Sequence, residues 1–404
     1  MRRLIPVLCV ACIAAGCAPS QQAIVVGAVY PTGGHQGPGG IEEYRGVQLA
    51  AEYVNHDGGV AGRPLRIRLR PAEHREDAPA AVDRLADDGA QVVVGSYGST
   101  ISLPAARAAA RRKVVFWETG AVGDLPMTSS APGSAFRFPA TGRLLGRQAV
   151  AFVDDQLELT EDNAYSVAYV DDVYGRSVGL GAIAEIEDRG LSLGARLPYD
   201  LASVDYEDLV DHIESSRSDV LVVAAYLDDG VALRRAIVRR GLDLRANIGT
   251  SSSYCMLQFG SLLGTDAVGL FASDKPDGAA VKPELLKPAA ASALRWARAE
   301  YEDRFGAAMT APALTGFSGA FGLFRHVLPA ATDASSQAIA RAAAEVDVPR
   351  GHLPDGGGLR FSDGAQEART NERATSVIWE WVARERRAVV WPPSAASHEI
   401  VHPH

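Results

Sequence analysis

The stretch Gly95-Ser96-Tyr97-Gly98-Ser99-Thr100 follows an apolar, β-branched run, Val92-Val93-Val94, and precedes a helical pattern beginning near Ile101. Free backbone N–H groups at a helix start attract carboxylates, and the hydroxyls of Ser99 and Thr100 add donors. Either residue could also be a plain helix cap, and the two roles are compatible. The next apolar run ends similarly, in Trp117-Glu118-Thr119-Gly120-Ala121. Donors grouped in this way suit a polar or anionic ligand.

Other motifs point elsewhere but fail on context. Residues 33–40, GGHQGPGG, lie between a strand pattern and a helix pattern. No GxGxxG register fits them and Pro38 interrupts, so a flexible loop at a strand's carboxyl end is expected rather than a dinucleotide fingerprint. His398-Glu399-Ile400-Val401-His402 spells HExxH. It lies at the chain end after Pro392-Pro393, with no packed helix and no further ligand to complete a zinc site. Gly316-Phe317-Ser318-Gly319-Ala320 lacks the second glycine of a GxSxG elbow and sits in a helical pattern, as a small-residue helix face would. No catalytic residue, metal or cofactor is expected.

The first residues read as a targeting segment. Arg2 and Arg3 precede an apolar stretch, residues 4–15, too short to span a bilayer. It ends in Ala14-Ala15-Gly16-Cys17, which resembles a lipobox and implies lipid on Cys17 and cleavage after Gly16. Residues 17–23 then form a tether. Cys9 and Cys12 leave with the signal and Cys17 would carry the lipid, so Cys255 alone remains free and no internal disulfide is expected. Cys255, with no His or acid close by in sequence, is expected to be packed rather than reactive.

Composition sets the frame for these residues. The chain has 404 residues, 47% hydrophobic and 22% charged, enough for a two-domain globular protein. Its net charge is −9, and the arginines are scattered, which argues against nucleic-acid binding. Only Lys113, Lys275, Lys282 and Lys287 are lysines.

Strand and helix patterns alternate along the chain. Strands are expected at 24–30, 64–69, 91–95 and 114–117, with helices at 44–55, 78–87 and 101–112. A second series has strands at 166–170, 193–198, 220–225, 246–249 and 268–273, interleaved with helices at 144–157, 177–188, 206–215 and 231–240. Helices follow at 289–305, 314–328 and 338–345, then strands at 359–361, 375–382 and 388–391. The alternation implies an α/β protein of two similar lobes, each a parallel sheet flanked by helices.

In order and spacing, VGAVYPTGG, YRGVQLAAEYVNHDGGVAGRPLRI, QVVVGSYGSTISLPAA, VFWETGAVGDL, FRFPATGRLLGRQ, VAYVDDVYGRSVG and DVLVVAAYLDDGVALRRAIVRRGL resemble the leucine/isoleucine/valine-binding proteins, the type I periplasmic solute-binding proteins of ABC transporters. The likeness spans about residues 24–391. It implies two lobes hinged at three crossings, near Ala140, Ser273 and Arg350. Lobe one would comprise 24–140 plus 274–350, lobe two 141–273 plus 351–391, with 392–404 a flexible tail. It further implies a cleft in which Ser99, Thr100, Thr119, Gly120 and Ala121 meet Tyr174, Tyr226, Ser251 and Ser252. Where amino-acid binders hold an acid that pairs the ligand's ammonium, this chain has Ser251-Ser252-Ser253, leaving Glu118 as a candidate for that charge. The aromatic over the first loop is replaced by His35 or Gln36.

The function implied is capture of a small polar ligand, such as an amino acid, a branched-chain amino acid or an amide, by an extracytoplasmic monomer anchored by Cys17. Its partners would be ABC permease subunits. A ligand sensor of a signalling receptor is the alternative of the same fold, and a metal-dependent hydrolase using His398 and His402 the alternative of another class.

Overall fold

In a computed structural model the described residues are 22–125, 134–157, 159–160, 163–363 and 368–401. Cys17 and His402 lie outside them. The first strands and helices are β1 (Ile24–Val29), α1 (Gly37–His56), β2 (Leu65–Leu69), α2 (Asp77–Asp87), β3 (Val92–Gly95), α3 (Ser99–Arg111), β4 (Val115–Glu118) and β5 (Ala135–Arg137). The second series is α4 (Gly142–Gln156), β6 (Ala164–Val170), α5 (Val173–Asp188), β7 (Ser192–Tyr199), α6 (Tyr206–Ser215), β8 (Val220–Ala224), α7 (Leu227–Arg240), β9 (Ala246–Thr250), α8 (Leu257–Leu263) and β10 (Phe271–Asp274). The chain then forms α9 (Pro288–Phe305), α10 (Ala311–Gly322), α11 (Ser336–Glu345), β11 (Asp347–Val348), β12 (Leu359–Arg360), β13 (Arg369–Thr370), β14 (Val377–Ala383) and β15 (Arg386–Trp391).

Among the described residues these build two large sheets. The first runs β13-β5-β4-β3-β1-β2, all parallel. The second runs β15-β14-β10-β9-β8-β6-β7, parallel except for its β14 and β15 edge. Buried parallel strands read as continuous apolar runs because helices cover both faces. In β3, Val92 and Val94 face the core under α1 and α10, whereas Val93 faces the core under α2 and α3. Local chemistry sets the helix starts: Thr141 caps α4 through Leu144 N–H, and Asp172 caps α5 through Gly175 N–H.

Small residues set the closest helix contact. A Cβ on Gly46 of α1 would lie 2.0 Å from the Ala313 carbonyl, and one on Gly316 of α10 would lie 2.1 Å from that of Glu43. The GFSGA segment is thus a packing face, with Ser318 fully buried. Cys255 is likewise buried.

Three expectations are corrected. Gly37–Gly40 are not loop but the first turn of α1: Pro38 suits that turn, and a Cβ on Gly40 would strike the Pro31 carbonyl at 2.2 Å. The third crossing falls after Thr370 rather than near Arg350. Leu353, Leu359 and Phe361 join the first sheet's core, Phe361 against Trp117 and Phe136 at ring distances of 5.3 and 5.1 Å, and β13 pairs with β5. Residues 392–401 are not a free tail. Ser397 N–H donates to the Val389 carbonyl at 2.8 Å, Val401 N–H to the Glu380 carboxylate at 3.0 Å, and Ala395 and Ile400 pack on the second sheet's core.

Candidate functional site

The carboxyl ends of β3 and β4 face those of β6, β8 and β9 across the gap between the sheets, and the side chains that converge there come from both. Gln36, Tyr97, Gly98, Ser99, Gly120 and Val122 arrive from the first lobe, and Tyr174, Tyr226, Ser251 and Ser252 from the second. They enclose about 10 Å³, room for roughly one water.

Bonds across the gap hold the lobes together. Gln36 Nε2 donates to the Tyr226 hydroxyl and to Thr100 Oγ1, each at 3.0 Å. The Tyr226 hydroxyl donates to Asp172 at 2.6 Å. The His35 ring meets Tyr226 edge-on at 4.6 Å, so the expected aromatic over the first loop is supplied by a histidine. Burial lowers the His35 pKa, which favours the neutral ring. Ser177 Oγ donates to Asp124 at 3.0 Å.

Tyr97 has φ of 60°, unusual for a residue with a Cβ. Its phenol packs against Gly39, where a Cβ would come within 2.0 Å of the ring, and neighbours Ser252 of the other lobe. Tyr174 bonds Thr250 Oγ1 at 3.1 Å and accepts Ser252 N–H at 3.4 Å. Desolvation pushes the Tyr97, Tyr174 and Tyr226 hydroxyls up in pKa, so all three stay protonated as donors.

Of the residues singled out from the sequence, Ser99, Gly120, Tyr174, Tyr226, Ser251 and Ser252 line this cavity. Thr100 faces an outer recess of about 510 Å³ that Ser99 also borders. Ser99 Oγ accepts Gly123 N–H at 3.0 Å. Thr119 and Ala121 do not reach the cavity. Thr119 Oγ1 turns inward to the Tyr30 hydroxyl and to Glu43, at 2.5 Å each. Ala121 is fully buried and donates its N–H to Glu118.

Glu118 is also corrected. It does not face a ligand but anchors two loops from below. Its Oε1 accepts Ser96 N–H at 2.6 Å, Gly120 N–H at 2.9 Å and Ala121 N–H at 2.7 Å, while Oε2 accepts the Ser96 and Ser102 hydroxyls. Glu43 lies beneath the same loop with its pKa pushed up to about 8, first by burial and then by the charge of Glu118.

Sequence reasoning passed over Tyr97, Val122 and, above all, Lys275. Lys275 directly follows β10, where the chain returns to the first lobe. It is 4% exposed, with Nζ 3.3 Å from the Gly120 carbonyl, 3.3 Å from Ser251 Oγ and 3.4 Å from Asp274 Oδ1. Its signal was available: it is one of four lysines, and it falls at a crossing.

At the chain end, His398 and Glu399 are exposed and His398 Nδ1 contacts the neighbouring Glu399 carbonyl. Among the described residues no helix is long and apolar enough to cross a membrane.

Residues 23–379 match the model of the family described as periplasmic binding protein. Curated relatives include the Leu/Ile/Val-binding protein homolog 8 of Brucella abortus (strain 2308), 25% identical over 92% of this chain and 91% of its own. Homolog 7 of the same organism is 24% identical over 99% of both chains. Similar solved structures include the leucine binding protein LivK from Thermotoga maritima MSB8 (TM-score 0.74, 14% identity, 91% of this chain and 97% of that one). The branched-chain amino acid transporter substrate binding protein LivJ from Streptococcus pneumoniae, in complex with isoleucine, has a TM-score of 0.73 at 15% identity, over 92% of this chain and 100% of that one. With most of its length matched to the family and both lobes arranged around a shared cleft, this chain belongs to the periplasmic binding proteins.

Proposed function

We propose that the chain is the extracytoplasmic solute-binding lipoprotein of an ABC transporter, and that it captures a small ligand between its lobes without transforming it. The observation that carries this reading is the cavity itself, built from hydroxyl, amide and aromatic groups of both lobes, with no acidic side chain among the described residues of its wall. A ligand must displace Gln36 and Tyr97 from a space this small, so it enters as the lobes part and closes them by its differential affinity for the two states.

The names of the relatives raise branched-chain amino acids; the lining also suits amides and small aromatic or aliphatic acids. Ser99, Gly120, Tyr174, Tyr226, Ser251 and Ser252 are the contact residues proposed, with Thr100 at the mouth. The anchor is proposed from Cys17 and its flanking small residues: Cys17→Ser should release the chain from the detergent phase of a partition assay. A thermal-shift panel of amino acids, amides and carboxylic acids tests the binding role. A rise in melting temperature with one of these classes, lost in Tyr226→Ala, is the expected result. A flat panel with no lobe closure in scattering refutes it.

A further inference from the structure

The ammonium of Lys275 is already part of the cleft. Its Nζ touches the cavity wall at Gly120 and Ser251, one residue from each lobe, and the side chain is 5% exposed. Its countercharge is Asp274, which sits on β10, is itself 3% exposed, and does not line the cavity. The pair is formally neutral, and a ligand anion that reaches Gly120 or Ser251 comes within range of the Lys275 ammonium, which it can share with Asp274.

The wall meets an anion better than a cation. It presents the hydroxyls of Ser99, Ser251 and Ser252; the Tyr226 proton is committed to Asp172 behind the wall, and the two Gln36 amide protons to Tyr226 and Thr100. The Gly120 carbonyl, an acceptor that a ligand ammonium could use, is occupied by Lys275. A ligand ammonium bonded to Gly120 or Ser251 would lie roughly 4–6 Å from Nζ, the range over which like charges disfavour each other strongly. Of the carboxyl groups below the loop, Glu118 is spent on backbone and hydroxyl donors, and Glu43, directly under Gly120 and bonded to Thr119, has its pKa pushed up to about 8 by burial and by the charge of Glu118, which favours its neutral form at pH 7. A carboxylate, by contrast, can replace one of the three long contacts of Nζ, at 3.3–3.4 Å, with a shorter charge-assisted bond. The rings of Tyr97, Tyr174 and Tyr226 and the side chain of Val122 remain for an apolar tail.

We propose that Lys275 supplies the cation of the site and that the ligand is a small carboxylate without an amine, its tail packed among the tyrosines. This rests on the solute-binding reading and narrows it. The test is calorimetric titration of the full chain in detergent with matched pairs: leucine against 4-methylpentanoate and 4-methyl-2-oxopentanoate, and phenylalanine against 3-phenylpropanoate.

In at least one pair the amine-free acid should bind at least tenfold tighter than the amino acid. Lys275→Met should weaken that acid at least tenfold while leaving the amino acid unchanged or improved. If Lys275→Met does not fold, the wild-type pairs alone decide. An amino acid binding as tightly as its amine-free partner overturns the proposal and leaves the solute-binding reading standing. Absence of binding by all of these compounds also overturns it; the solute-binding reading falls only if amides, too, fail to close the lobes.

Discussion

Replacing Glu118 by glutamine tests whether one carboxylate sets the shape of the cleft's first-lobe wall. The glutamine carbonyl can keep the three N–H donors of Ser96, Gly120 and Ala121, but its NH₂ faces the Ser96 and Ser102 hydroxyls that now donate to Oε2. Both hydroxyls must turn to accept, and every bond loses its charge assistance. Hydrogen bonds to charged groups contribute about 1.5–3 kcal/mol and neutral ones about 0.5–1.5. Five such bonds cannot be summed, since they share one acceptor group. Relief of Glu43 from a neighbouring negative charge offsets part of the loss. The net expectation is a destabilisation of about 2–4 kcal/mol in urea unfolding, together with at least tenfold weaker ligand binding by calorimetry, because the loops carrying Ser96 and Gly120 are held by weaker, neutral bonds. Glu118→Ala should be worse, leaving three buried N–H groups without an acceptor. Stability within about 0.5 kcal/mol of wild type and unchanged affinity in Glu118→Gln would show that packing alone, not the carboxylate, holds these loops.

Two further outcomes are expected. Glu43 has a folded-state pKa of about 8 against a reference of 4.5, so the folded protein binds the extra proton and stability falls as pH rises from about 4.5 to 8; Glu43→Gln should flatten that decline and be more stable than wild type at pH 8 by a few kcal/mol, as read from urea melts at both ends of the range, and parallel pH profiles would contradict the assignment. Deleting residues 394–404 should lower stability by about 1–3 kcal/mol through exposure of the surface under Ile400 and Ala395, while affinity stays within a few-fold because none of the described residues among them, 394–401, lines the cavity; a loss of binding without a loss of stability would give the tail a role in the cleft.

Periodicity alone determined the architecture of this protein. A strand such as Val92–Gly95 must be apolar on both faces when helices cover both sides of a parallel sheet, and a helix such as Val173–Asp188 begins where an aspartate can cap it. Both signals lie within a few consecutive residues. The candidate positions after β3 and β4 were also legible, because ligands of open α/β sheets sit at strand carboxyl ends.

Orientation was not legible there. Thr119, Gly120 and Ala121 are adjacent, yet only Gly120 meets the cavity: Thr119 is drawn inward by Tyr30 and Glu43, residues distant in sequence, while the Ala121 N–H is held by Glu118, whose own inward placement is set by the Ser96 and Ser102 donors of another loop. The third crossing and the docked tail likewise depend on apolar side chains finding partners far along the chain. The placement of Lys275 shows the same limit most clearly. Its identity and its position after a strand are sequence facts, but its contact with Gly120, Ser251 and Asp274 exists only because the chain crosses between lobes at that residue. Local spacing encodes which backbone forms each element, whereas the charge a cleft presents depends on side chains that meet only after the chain has folded back on itself.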